Sequence, residues 1–183
     1  MNGRACNVML VRHGETDAMG ERRYCGWSDP PLNATGRRQS RRLSGTLDAS
    51  AFDGVWTSDL ARCVETAALA GLQPTVDWRL REINFGGLEM RTWDDLSDDT
   101  QRSLINFEAF EAPGGETTAA FRARVHDFFH DLSPGRHLVI THGGVIRLLL
   151  GGSHVAQIEA AAAIELDYRT GTSSQRSNEY PTE

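Results

Sequence analysis

The apolar positions of this chain fall into two kinds of block. Short continuous runs predict buried strands: Cys6 to Val11, Gly54 to Thr57 and His137 to Ile140. Pro74-Thr75-Val76 is a shorter candidate, and Ile164 to Tyr168 is a candidate edge strand. Longer blocks repeat at helical spacing. The clearest runs from about Thr118 to Leu132, where Phe121, Val125, Phe128, Phe129 and Leu132 share one face and Pro134-Gly135 stops the helix. Asn33 or Thr35 is suited to cap a helix reaching about Leu47, with Gly36, Gln39 or Ser40, Leu43 and Leu47 inward. Ser58 is the expected cap of another, whose apolar face is Leu60, Ala61, Val64, Ala67 and Ala68. Val145 to Leu150 begins a further helix, and Thr92 to Phe110 is polar but helical enough to form a cap or lid. Ala18 to Asn33 has no period and reads as a loop.

Strands alternating with helices predict an α/β fold: a single-domain three-layer sandwich, with a mostly parallel central sheet and helices on both faces. With 183 residues, one domain is expected. Its span is residues 1–170, and the polar stretch 171–183 is expected to be a disordered tail. In such sheets, ligands bind beyond the carboxyl ends of the strands. Two strands end there in similar corners. Val8-Met9-Leu10-Val11 leads into Arg12-His13-Gly14-Glu15-Thr16, and His137 to Ile140 leads into Thr141-His142-Gly143-Gly144. Two His-Gly corners predict one site with two imidazoles. Arginine binds phosphate oxygens in a fixed fork, neutral histidine is a nucleophile near neutral pH, and glycine lets backbone approach an anion closely.

Composition narrows the reading. The formal charge is −6, which argues against binding to nucleic acid or to anionic membranes. An anion site must therefore be a local positive pocket in an acidic body. The basic cluster Arg37, Arg38, Arg41 and Arg42 reads as a solvated helix face. No signal peptide or membrane span is visible, and three cysteines without zinc spacing suggest a reduced, cytoplasmic setting. His13 and His142 lack the spacing of a zinc-binding helix, so no metal and no cofactor are expected. Cys6 and Arg12 match the spacing of a cysteine-phosphatase loop. However, the residues between them read as a strand, which would hold the two about 20 Å apart.

Five segments together resemble the histidine phosphatase superfamily, in its phosphoglycerate mutase-like branch. They are Leu10 to Thr16, Gly26 to Leu32, Thr57 to Ala67, Leu80 to Glu89, and Thr141 to Arg147, in family order. The resemblance implies that His13 attacks phosphorus to give a phosphohistidine. It implies that Arg12 and Arg62 clamp the phosphoryl oxygens, that His142 donates to them, and that Gly143 and Gly26 belong to the phosphate-binding set. Glu82 would protonate the leaving alkoxide and later deprotonate the attacking water. Glu15 and Thr16 would support the loop. Taken singly, each of these residues has a plainer reading as a surface pair or a satisfied core histidine; the ordered set is what outweighs those readings.

The implied function is a metal-independent phosphomonoesterase acting on a small phosphorylated metabolite. Phe85 to Trp93 with Ala112 to Glu116 resembles the α-ribazole (adenosylcobalamin) phosphatases, which makes α-ribazole phosphate or cobalamin phosphate candidate substrates. A broad-specificity acid phosphatase or a phosphoglycerate mutase is the alternative within the family. A phosphoanion-binding regulatory protein of the same fold is the alternative outside catalysis. The expected partner is a small phosphate ester, and the chain is expected to be a monomer or homodimer. Two departures stand out: Met19 where many relatives have a phosphate-contacting Asn, and a C-terminus unlike the usual closing strand and helix.

Overall fold

The computed structural model describes residues 6–151, 158–169 and 172–175, the last four by their backbone. Six strands form one sheet: β1 (Cys6–Arg12), β2 (Gly54–Thr57), β3 (Thr75–Val76), β4 (Gly135–Thr141), β5 (Ala163–Asp167) and β6 (Thr172–Gln175), in the order β3-β2-β4-β1-β5-β6. β1 to β4 are parallel to one another; β5 pairs antiparallel with β1, and β6 antiparallel with β5. The helices are α1 (Asp17–Gly20), α2 (Ala34–Leu43), α3 (Ala61–Leu69), α4 (Asp98–Ile105), α5 (Thr118–Asp131) and α6 (Gly143–Leu149). This is the expected three-layer α/β sandwich.

Alternation along β1 divides the core. Cys6, Val8 and Leu10 point to one side, where α5 packs Phe121, Val125, Phe128 and Phe129. Met9 and Val11 point to the other, with Leu43 of α2 and with Cys63 and Ala67 of α3. On β4, Val139 belongs to the first cluster, and Leu138 and Ile140 to the second. Both strands are buried on both faces, which explains why they read as continuous apolar runs. The thiol of Cys6 is buried in the strand, and burial pushes its pKa up.

Asn33 caps α2, its side chain accepting from the Gly36 amide. Helix α3 departs from the expected capping. Its N-cap is Leu60, without a side-chain cap, and the Ala61 amide instead donates to Asp29 Oδ2 at 2.7 Å. A carboxylate from a distant loop does what Ser58 was expected to do, because Ser58 is turned toward His142. The Thr92–Phe110 segment is helical only over α4, with single 3-10 turns at Trp93–Asp95 and Phe107–Ala109. The Ala18–Asn33 loop is entered through the short α1.

The C-terminal expectation needs correction. Thr172–Gln175 is not disordered but pairs antiparallel with β5, so β5 is not an edge strand. An edge strand needs ladder hydrogen bonds from one neighbour only, and Thr-Ser-Ser-Gln carries no apolar alternation to announce it. The rest of the expected tail, 176–183, lies outside the described residues, as do 170 and 171. No helix among the described residues is long and apolar enough to cross a membrane.

The loop after β1 crosses α2 at close range. A Cβ on Gly36 would stand 2.1 Å from the Glu15 carbonyl oxygen, whereas one on Gly20 would meet nothing within 4 Å. Gly36→Ala is expected to destabilise the fold by about 1–3 kcal/mol, since backbone must yield. Gly20→Ala should stay within about 0.5 kcal/mol of the parent. Urea unfolding midpoints of the two variants check this.

Candidate active site

Parallel pairing of β1 with β4 sets Arg12 opposite Thr141. The next residues, His13 and His142, therefore leave the sheet side by side. The His13 amide donates to the Thr141 carbonyl at 3.0 Å, and the two rings meet edge to face with centroids 5.2 Å apart. The strands thus deliver the two imidazoles to one place, as the paired His-Gly corners predict.

His13 is buried, and its Nδ1 lies 2.7 Å from the Gly14 carbonyl oxygen. A carbonyl only accepts, so Nδ1 carries the proton and Nε2 holds the lone pair. Burial, then Arg62 and Arg12, push the His13 pKa well below the ordinary imidazole value. His142 is pushed the same way by burial, then by Arg62, His13 and Arg12. Its Nε2 lies 2.9 Å from Ser58 Oγ and 3.4 Å from Cys63 Sγ. Nδ1 has Cys63 Sγ near it at 3.9 Å, and the ring is fully buried.

Arg62 is 1% exposed. Its terminal nitrogens donate to the carbonyls of Gly26 and Ser28 at 2.7 and 2.8 Å, with Asp29 Oδ1 at 3.4 Å. Arg12 donates to the Ile158 carbonyl. On both arginines Nε is buried without a hydrogen-bond partner among the described residues. An unpartnered buried donor is costly unless something else accepts from it. Two such donors beside a neutral imidazole are suited to anionic oxygens.

Glu82 faces this group from an irregular segment. Its Oε2 accepts from the Gly144 amide at 2.7 Å and its Oε1 from the Ile83 amide at 3.0 Å. Arg124 of α5 holds the segment from behind. It donates to the carbonyls of Arg79, Arg81 and Glu82 and pairs with Glu116, which accepts from the Asn84 amide. Gly86, with φ of +51°, lets the chain turn against Pro113, whose carbonyl oxygen a Cβ would meet at 2.3 Å.

Arg12, His13, Arg62 and Glu82 line one cavity of about 180 Å³, together with Thr16 and Met19. His142, Gly26 and Gly143 do not line it. The Gly26 amide donates to Glu89 and its carbonyl accepts from Arg62. A Cβ on Gly143 would lie 3.2 Å from Arg12 Cζ. Each glycine lies against an arginine. Gly14 likewise approaches backbone rather than an anion, since its Cβ would meet the Gly36 carbonyl at 2.6 Å. Glu15 supports the loop as expected, accepting from Asn33 Nδ2 at 2.9 Å. Thr16 caps α1 and also reaches the cavity wall. Sequence reasoning missed Arg23 and Ser58, and did not single out Arg147. Arg23 and Arg147 line the cavity; Arg147 ends the last motif-bearing segment, whereas Arg23 lies between two of them and only its basic side chain could have signalled it. Among the described residues no cluster of three or more His, Cys, Asp or Glu could hold a metal ion.

The sequence pattern of the histidine phosphatase superfamily (branch 1) matches residues 8–180. The chain is 37% identical over 155 residues to a Cronobacter sakazakii protein named "Probable phosphoglycerate mutase GpmB", covering 78% of this chain and 72% of that one. Among solved structures it is similar to a phosphoglycerate mutase from Thermus thermophilus, with TM-score 0.81, 40% identity, and coverage of 88% and 92%. It is also similar to a "putative alpha-ribazole-5'-P phosphatase" from Escherichia coli, with TM-score 0.79, 30% identity, and coverage of 94% and 95%.

The two depressed imidazoles make stability depend on pH. An unfolded histidine takes a proton near its ordinary pKa of about 6.5, whereas the folded ones resist it, so the unfolded state binds more protons below that value. Their contribution is full above about pH 6.5 and is lost as pH falls. The urea midpoint of the parent should drop between about pH 7.5 and pH 5. His142→Gln, which cannot titrate, should drop less over the same range; equal drops would count against a neutral buried His142.

Proposed function

Because this chain belongs to the histidine phosphatase superfamily, branch 1, we propose that it is a metal-independent phosphomonoesterase working through His13. The observation that carries this reading is the Nδ1 contact to the Gly14 carbonyl, which leaves the Nε2 lone pair available beside two buried guanidinium groups.

In this mechanism Arg12 and Arg62 hold the phosphoryl oxygens and offset the charge that grows on them, a role arginines can share with or take from a metal ion. Nε2 of His13 attacks phosphorus, and the P–O ester bond breaks with its electron pair going to the leaving oxygen. Glu82 supplies the proton, and the alcohol departs. A water then attacks the phosphohistidine while the Glu82 carboxylate takes its proton. The N–P bond breaks, the electron pair returns to Nε2, and inorganic phosphate leaves. His142 Nδ1 donates to a phosphoryl oxygen. Met19 at the cavity wall is a very weak acceptor and no donor, and Arg23 supplies the polar contact that the position lacks.

Within this class, α-ribazole phosphate or cobalamin phosphate is the first substrate to test. The name of the Escherichia coli neighbour supports it. So does the packing of Pro113-Gly114-Gly115-Glu116 against Asn84 and Gly86, which sets the segment carrying that resemblance beside the stretch that follows Glu82. The names of the GpmB and Thermus relatives favour a mutase as the second reading.

The test is phosphate release from p-nitrophenyl phosphate with EDTA present. His13→Ala should abolish it, and Cys6→Ser should leave it intact. Glu82→Gln should lose roughly a hundredfold or more on an alkyl phosphate. It should lose much less on the p-nitrophenyl ester, whose leaving group needs no proton. Equal losses on the two esters would remove Glu82 from the acid role. Transfer of phosphate between the hydroxyls of phosphoglycerate, with no net release, would establish the mutase instead.

A further inference from the structure

The phosphate cavity opens into a second, larger chamber of about 300 Å³, and Tyr24, Phe85, Phe107, Gly144 and Arg147 line both. The chamber is a different chemical environment. Its far wall is Trp93, Leu104, Ile105 and Leu148. The shared wall belongs to an aromatic ladder. Tyr24 meets Phe85 edge-on at 5.3 Å, Phe85 tilts against Phe110 at 6.3 Å, and Phe110 stacks on Phe107 at 5.7 Å. The charged lining is Glu108, Arg122 and Arg147, of which the first two are paired at 2.6 Å. Ile105, on α4, is 72% exposed, although it stands at the chamber wall.

A phosphoryl group held by Arg12 and Arg62 presents its ester oxygen beside Glu82, and Gly144, whose amide holds Glu82, lies on the boundary of the two spaces. The alcohol therefore leaves toward the aromatic wall. We propose that this chamber seats the leaving alcohol and selects phosphomonoesters whose alcohol carries a flat, uncharged apolar group, such as an aryl or heteroaryl ring. The inference rests on the phosphomonoesterase reading and deepens it. A ring buried there removes both its own faces and those of Phe107 and Trp93 from water. A small polyhydroxy alcohol would desolvate its hydroxyls against aromatic carbon, where Arg122 and Arg147 are the charged donors.

Phosphonates separate this inference from the catalytic reading, because their carbon–phosphorus bond is not hydrolysed. Titration calorimetry should show benzylphosphonate binding at least about tenfold more tightly than methylphosphonate, the gain expected from burying one ring. Trp93→Ala and Ile105→Asp should each reduce that preference severalfold. Both residues are partly or largely exposed, so the variants should fold. Benzylphosphonate binding no better than methylphosphonate, or a preference that neither substitution changes, would overturn the assignment even where His13-dependent phosphate release is intact. A clear preference in a protein that hydrolyses no ester would uphold the chamber and refute the phosphomonoesterase.

Discussion

The burial of Arg62 is the constraint on which the rest of the site depends. A guanidinium at 1% exposure costs several kcal/mol in desolvation unless acceptors surround it. The acceptors here are carbonyls of a turn that has no regular structure, at Gly26 and Ser28. A turn drawn inward by its carbonyls leaves its amides to be satisfied. Glu89 satisfies them, accepting from Gly26, Trp27 and Ser28 as well as from Phe85. One short stretch of backbone is thus strung between a cation on its carbonyl side and an anion on its amide side. That arrangement fixes where Arg62 points, and with it one side of the phosphate cavity.

The opposite side is built in the same way. Arg124 takes the carbonyls of residues 79, 81 and 82, while Glu116 takes the amide of Asn84. Glu82 sits at the centre of that clamped segment. Both walls are therefore irregular backbone held between an arginine on its carbonyls and a glutamate on its amides rather than by a helix or strand. The sheet supplies what ladders supply well, the register that puts His13 beside His142. The clamps supply placement where no ladder reaches. Loops positioned by a rigid scaffold commonly carry function, and here the positioning forces are hydrogen bonds to charged groups, which are stronger than neutral ones.

This division explains what was legible in the sequence. Strands β1 and β4, buried on both faces, read as apolar runs; α5 carried a full helical stripe; and the residues of the Arg-His-Gly and Thr-His-Gly corners followed from the strand ends. Arg12, His13, Arg62 and Glu82 do meet at one cavity. The packing of Gly26 and Gly143 against arginines contributed by other elements was not legible, because periodicity says nothing about such contacts. Ser58 looked like a helix cap because local sequence offers no sign that Asp29 reaches Ala61 from a distant loop. Strand β6 was missed because backbone pairing to one neighbour demands no apolar face. Short-range pattern reports burial and period, and the site is assembled mostly from long-range polar contacts.

In the proposed mechanism the arginines also set the protonation of the nucleophile. In the free site their charge adds to burial in keeping His13 neutral, which is the state a nucleophile needs. A phosphate ester carries negative charge to the same guanidinium groups and reverses the local field. Attack then builds positive charge on the imidazole just where negative phosphoryl oxygens and the Gly14 carbonyl can stabilise it. In that mechanism the residues proposed to bind the substrate hold the histidine unprotonated before binding and would accommodate its charge afterwards. No added switch is needed, because the substrate's own charge makes the change. The acidic body of the protein, at −6 overall, makes a positive interior pocket more selective, since only an anion that reaches the buried donors escapes the repulsion of the surface.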